Sequence, residues 1–219
     1  MRIPFRPEMK SNPTRQAALN VRSNLLDAAE RLFARHGLEG VSLRQISAAA
    51  GTRNNYAVQS HFGDAAGLIR AVLERRAAEM ELRRAELLAQ LVGAEEVTLR
   101  QLFEVIYLPI LDGSKAGEPA VFAQFNLMLL TTPGGYEPLD EVYSDKPVTR
   151  RALELIVAAC PHVEPAIAWR RVQFAGVAFL AAAIADYSVL ETEEFYRAAI
   201  ADALNTAAAA LAAPAASAT

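Results

Sequence analysis

Cysteine occurs once in the 219 residues, at Cys160, so no intramolecular disulfide can form. That fits a reducing, cytoplasmic setting, where a lone cysteine ordinarily serves as a small buried apolar residue. The uncharged stretch Val172–Ala185 is interrupted by Gln173 and Gly176 and is short for a bilayer span. The first ten residues, MRIPFRPEMK, lack the apolar run of a secretory signal, so neither export nor a membrane partner is expected. Sustained alternation of apolar and polar residues is scarce, which argues against half-buried strands. No 20–50-residue repeat suggests a solenoid. The chain has no GxxxxGK[ST], GxGxxG, HExxH or GxSxG. Phe33, Val58 and Ala159 stand three residues before the three histidines, so no Glu-x-x-His pair is available for a di-iron site. No catalytic residue, cofactor or metal is expected, and an enzyme is a poor reading.

What is present is alanine. Hydrophobic residues make up 53% of the chain and alanine is the largest part of that share, a composition that favours helices. The net charge of −3 hides an asymmetry: residues 1–76 carry a balance of +6 and residues 77–219 a balance of −9. A basic front on an acidic body suggests that the front alone meets a polyanion.

The expected fold is all-α, with about nine helices. Residues 1–13 mix Pro4, Pro7 and Pro13 with Arg2, Arg6 and Lys10 and read as a flexible basic arm. A first helix, starting near Thr14 or Ser23, carries the stripe Leu25, Ala29, Leu32 and Phe33 and stops at Gly37. Ser42 with Gln45 is a capping-box pattern for a short second helix ending at Gly51. A third runs from about Asn55 to Phe62, and Asp64 caps a long fourth. Further helices are expected over about Glu95–Leu111, after Pro119, over about Val148–Ala159, Pro165–Leu190 and Glu193–Leu211. TTPGGYEPLDEVYSDKP reads as a loop. Residues 14–76 form the front domain, 77–212 the body and 213–219 a disordered tail.

Two short helices joined by a tight turn and braced by a preceding helix make a helix-turn-helix, whose second helix lies in the DNA major groove. In that helix Ala57, Val58, His61 and Phe62 fall on one side and can pack inward. Asn55, Tyr56, Gln59 and Ser60 lie on or beside the other. Asn and Gln can bond adenine N6 and N7 together, and arginine can bond guanine N7 and O6. Arg44 and Arg53 add charge for phosphates or a base edge. The expected DNA-facing set is therefore Arg44, Arg53, Asn54, Asn55, Tyr56, Gln59, Ser60 and His61.

Residues from about 21 to 75 resemble the N-terminal domain of TetR-family transcriptional regulators. The likeness rests on NLLDAAERLFARHGLEGVSLRQISAAAG and SHFGDAAGLIRAVLERR: AA..LF...G in the first helix, SL..I...AG in the second, then HF before the long helix. It implies an operator-binding dimer, most often a repressor, whose helical body takes a small effector. RNNYAVQSHFG departs from the common pattern and looks like a family subgroup: the turn holds one extra residue, Gln59 replaces a tyrosine that commonly touches phosphate, and Ala65 and Ala66 stand where a lysine is usual.

In the body, Phe103, Ile106, Tyr107, Phe122, Phe125, Asn126 and Leu129, closed by Trp169 and Gln173, have the make-up of a small-molecule pocket. They equally have the make-up of a plain helical core. Few charges are near, so the expected effector is apolar or weakly polar. Small residues at Ala175, Gly176, Ala178, Ala182 and Ala185 suit close helix packing, either in a homodimer or in the protein's own core. A ligand-independent DNA-binding or protein-interaction module fits the same residues.

Overall fold

A computed structural model describes residues 13–54, 56–112, 120–185 and 192–215. Among these there are ten α-helices, one more than expected, and no strand. The front holds α1 (Pro13–His36), α2 (Leu43–Ala49), α3 (Ala57–Phe62) and the start of α4 (Ala65–Gln90). The body adds α5 (Leu99–Tyr107) with a following 3₁₀ turn (Leu108–Leu111), α6 (Val121–Thr131), α7 (Tyr136–Tyr143), α8 (Pro147–Ala158), α9 (Pro165–Ile184) and α10 (Glu193–Ala212). The basic arm through residue 12 and the end of the tail, 216–219, lie outside the described residues.

Local capping explains most of the boundaries. Proline occupies the first position of α1, where its missing N–H costs nothing. Thr98 and Gln101 form a second capping box, so α5 starts at Leu99 rather than Glu95, and the turn after it accommodates Pro109. The expected loop is overturned: it contains α7. Its prolines and glycines punctuate the ends only. Gly134 takes a left-handed φ of 74°, Pro138 sits in the first turn where it breaks no helical hydrogen bond, and Leu139 and Val142 bury an inner face. Helix α9 stops at Ile184, short of Leu190, and residues 186–191 are outside the described set. At the other end Ala213 and Pro214, expected in the tail, are held in place. Arg171 donates to the carbonyls of Leu211, Ala213 and Pro214, and His162 Nε2 lies 2.9 Å from the Ala213 carbonyl.

One apolar core runs through front and body without a break at residue 76. Leu25, Phe33, Ile46, Val58, Leu68 and Val72 fill the front, and each such fully buried side chain contributes about 1.5–3 kcal/mol. Helix α1 packs on α6, with the Phe33 and Phe125 rings 6.5 Å apart. Helix α9 is long and apolar enough to cross a membrane by composition, but here it is a core helix against α6, α8 and α10.

The polar seam between α1 and α4 is a buried ion cluster. Glu30 is only 3% exposed. Arg76 grips both its oxygens, Nη2 at 2.7 Å and Nε at 3.2 Å, and Arg75 adds Nη2 at 2.8 Å while reaching Asp27 at 2.6 Å. The Glu30 hydrogen bonds raise the Arg76 guanidinium above its ordinary value. Its carbon also lies 5.1 Å from the Phe122 ring centre on α6. Replacing Arg75 and Arg76 together by methionine strands a buried carboxylate, with an expected loss of about 3–5 kcal/mol in urea denaturation. Adding Glu30→Met to that variant should recover most of the loss; a triple variant as unstable as the double one would assign the damage to packing instead.

Candidate nucleic-acid interface and ligand cavity

Helix α2 is capped as its sequence requires: the Ser42 N–H donates to Gln45 Oε1 (2.8 Å), and Ser42 Oγ accepts from the Gln45 N–H (3.3 Å). Gly51 reverses the chain at a φ of 72°, a conformation that side chains oppose. The turn then locks by local bonds. The Thr52 N–H donates to the Ser47 carbonyl (3.2 Å), the Asn54 N–H to Thr52 Oγ1 (3.1 Å) and the Tyr56 N–H to Asn54 Oδ1 (2.9 Å). Asn54 is exposed, but its side-chain oxygen already braces the start of α3, which begins at Ala57.

Within α3, Ala57 and Val58 are buried and Phe62 is half-buried, with the Arg22 guanidinium 5.1 Å from its ring centre. Of the two placements open to His61, packed inward or facing outward with the DNA-facing set, the structure has the outward one. In so short a helix Ala57, Val58 and Phe62 fill the inner face, and His61 is exposed beside Phe62. Gln59 and Ser60 are exposed, Tyr56 is 72% exposed, and Arg44 and Arg53 are exposed. Asn55 lies outside the described residues. Arg70, Arg75 and Arg76 on α4 pair with Glu141, Asp27 and Glu30. Arg44 and Arg53 join no ion pair among the described residues, so their charge faces outward uncompensated. Asn54→Ala should lower stability by about 1 kcal/mol in chemical denaturation, whereas Asn54→Asp keeps the acceptor and the stability; equal losses would place the effect elsewhere than in this turn.

In the body a cavity of about 380 Å³ opens between α4, α5, α6, α7, α8 and α9. Of the expected lining, Ile106, Tyr107, Asn126, Trp169 and Gln173 border it, with Trp169 partly exposed. Phe103, Phe122, Phe125 and Leu129 do not; they are buried core residues. The Tyr107 hydroxyl donates to the Val172 carbonyl (3.2 Å), its ring stacks on Phe103 at 4.2 Å, and burial pushes its phenol above the ordinary range. Asn126 Nδ2 donates to the Phe122 carbonyl (2.8 Å).

Arg84, Tyr136, Leu139, Tyr143 and Thr149 were not among the expected lining residues. Three of them come with the unforeseen α7. Arg84 replaces the expectation of few charges with a buried guanidinium, and a signal for it exists: Leu73, Ala77, Met80 and Arg84 form one buried stripe at helical spacing.

The small residues of α9 divide. Ala178 is exposed and Ala182 half-buried, and with the fully buried Ala175 they line a groove against α10. Phe174 and Phe195, 67% and 52% exposed, stand on it. Ala185 lies past the helix end and outside the groove. Gly176 is buried against the Tyr107 ring, itself stacked on Phe103, and a Cβ there would collide with that ring. Gly176→Ala should therefore cost a net of about 1–2 kcal/mol despite alanine's better helix propensity, read by thermal denaturation; a more stable variant would mean that Tyr107 moves aside freely. Cys160 is buried, and that burial raises its thiol. Among the described residues no cluster of three or more metal-ligating side chains exists.

Residues 25–72 match the family model described as "Bacterial regulatory proteins, tetR family". A protein of Corynebacterium glutamicum, the helix-turn-helix-type transcriptional repressor AcnR, is 39% identical over 61 residues, 28% of this chain and 32% of that protein. The repressor of the same name from Corynebacterium efficiens is 39% identical over 62 residues, with the same coverage of both chains. The matched segment thus spans about a third of the length of these relatives. A tetR family transcription regulator from Shewanella sp. PV-4 superposes with a TM-score of 0.58 at 16% identity, covering 85% of this chain and 97% of its own. One from Rhodococcus sp. gives 0.52 at 16% identity, covering 86% and 98%. At such identities the likeness is one of fold. The chain therefore carries a tetR-family N-terminal domain at residues 25–72, on a helical body that shares the fold of regulators of that family.

Proposed function

We propose that the protein is a DNA-binding transcriptional regulator, a repressor that holds a palindromic operator as a homodimer and releases it when a small molecule fills the body's cavity. The observation that carries this reading is the exposed polar band of Arg44, Arg53, Tyr56, Gln59, Ser60 and His61 on the matched domain, with neither arginine in an ion pair among the described residues. Gln59 offers a bidentate adenine contact and the arginines phosphate or guanine contacts. The departures in RNNYAVQSHFG assign this reader to a subgroup with its own contact pattern, in which Asn54 braces the helix while Asn55 and Gln59 meet bases. Two copies joined through the groove between α9 and α10 would cover Phe174 and Phe195 and give the two-fold symmetry that a palindrome needs.

Helices α4 and α6 border the cavity and also pack on α1, so a ligand that shifts either one changes the angle and spacing of the two α3 helices. A differential affinity of about 1–3 kcal/mol between the two body conformations suffices for a 5–150-fold change in operator affinity. The rival, a ligand-blind DNA-binding or interaction module, is favoured by no observation of its own.

Gel shifts on DNA upstream of the protein's own coding sequence should reveal a complex that weakens steeply between about 50 and 200 mM salt as counterions return to the phosphates. Gln59→Ala should lose about 1–3 kcal/mol at the base it reads and relax preference there. No complex even at low salt, or unchanged preference in the variant, removes the operator reading or Gln59 from it respectively.

A further inference from the structure

One buried part of the cavity wall is cationic although most of the wall is apolar. Arg84 reaches it from α4 and is only 3% exposed. Its Nε and Nη2 donate to the Ile106 carbonyl at the end of α5 (3.3 and 2.9 Å), Nη1 donates to Thr149 Oγ1 (2.9 Å), and Nη2 also faces Met80 Sδ at 3.9 Å. A guanidinium has five N–H hydrogens, so these four contacts leave one on Nη1 uncommitted to any carbonyl or carboxylate. Among the described residues no carboxylate stands within ion-pair distance of it. Glu81, one turn away on α4, is occupied elsewhere: it accepts from the N–H groups of Val148 (2.6 Å) and Thr149 (3.2 Å) and from Thr149 Oγ1 (2.5 Å). Its charge favours the Arg84 cation from a distance, and its only bonded link to Arg84 is through the Thr149 hydroxyl.

A second group on the same wall is also unsatisfied. The Tyr143 hydroxyl is buried with no acceptor for its proton; the Arg84 guanidinium, which can only donate, pulls on its oxygen, the guanidinium carbon lying 5.3 Å from the ring centre. Burial pushes this phenol up to about 12, against the pull of Arg84, so it is a neutral O–H donor at any physiological pH. Burial also pulls Arg84 below its ordinary value. A phenol proton without an acceptor and a cation without a counter-ion on one mostly apolar wall are each costly, and an anion relieves both. The other charges of the lining, Asp140, Glu154 and Arg150, are exposed at the mouth, where water screens them.

We propose that the cavity takes a small organic acid, its carboxylate held between Arg84 Nη1 and the Tyr143 hydroxyl and its apolar body against Ile106, Ile110, Leu139 and Val172. This rests on reading the cavity as the effector site. It replaces the apolar effector with an amphipathic one.

The test is calorimetric titration of the full chain with phenylacetate, benzoate and octanoate, set against the uncharged amide and alcohol of each. The acids should bind at least about tenfold tighter than their neutral partners. Tyr143→Phe, which keeps the ring, should weaken the acids about tenfold, leave the neutral compounds unchanged, and leave the ligand-free unfolding midpoint as high as before or higher. Arg84→Lys should retain part of the preference for acids and Arg84→Met none. Neutral compounds that bind as tightly as the acids, no binding by any acid, or a folded Tyr143→Phe protein with undiminished affinity would each overturn the proposal and leave Arg84 as a cap for the end of α5. Acids that bind as predicted without loosening DNA in a gel shift would keep the anion site and sink the effector reading alone.

Discussion

A carboxylate removed from water must find its counter-charges in the protein, and the placement of Glu30 imposes that condition on the whole chain. Arg75 and Arg76 meet it from consecutive positions of α4, and the bidentate grip of Arg76 fixes angle as well as distance. Its guanidinium also lies against Phe122 of α6, one turn from the Phe125 that faces Phe33 of α1. Helices α1, α4 and α6 are thereby joined at one point by charge and by ring packing. Only Gly63 and Asp64 separate α3 from α4, and the Asp64 side chain caps α4 through the Gly67 N–H at 2.8 Å. The exposed face of α3 is therefore carried by a strut anchored in the body.

The parts of this arrangement that were legible in the sequence are those decided within a few residues. Ser42 and Gln45, Gly51, and Asp64 act on backbone groups no more than three or four positions away, and the structure puts each to the expected use. Thr98 and Gln101 are the same device, hidden by the acidic Glu95 and Glu96, which draw the expected helix start upstream. Helix α7 was illegible for a different reason. Proline and glycine counted as breakers there without regard to position, yet Pro138 in a first turn breaks nothing, and the pairing of Leu139 with Val142 depends on the body's core.

Long-range packing decides the rest. Phe103, Phe125, Leu129, Tyr107 and Asn126 share one pattern in the sequence, and only the crossing of α5, α6 and α9 makes the first three core and the last two cavity wall. The same holds for Gly176, whose smallness serves the Tyr107 ring from another helix rather than a second copy of the chain. The inward option for His61 fails because a six-residue helix has room inside for Ala57, Val58 and Phe62 and no more, which leaves it on the exposed side with Gln59 and Ser60. Charge types mislead in a similar way: an arginine on a helix is expected in water, and Arg84 is identified as buried only by the company of Leu73, Ala77 and Met80 on its stripe.

Helix α4 thus carries two ionic centres of opposite character. Arg75 and Arg76 are saturated by Glu30 and Asp27, while Arg84, eight residues past Arg76 and about 12 Å along the axis, has no counter-ion among the described residues and lies beside a phenol whose proton has no acceptor. The first centre holds the helix to the front of the molecule and the second exposes it to whatever enters the body. A helix is stiff over so short a span, so a displacement at one centre is felt at the other as a lever. The strain that an anion would impose or relieve at Arg84 need reach only about 1–3 kcal/mol to matter for operator affinity. That lies within the range of a hydrogen bond to a buried charge. In the proposed regulator, one buried cation is therefore sufficient both to choose the ligand and to supply the energy by which that ligand is sensed.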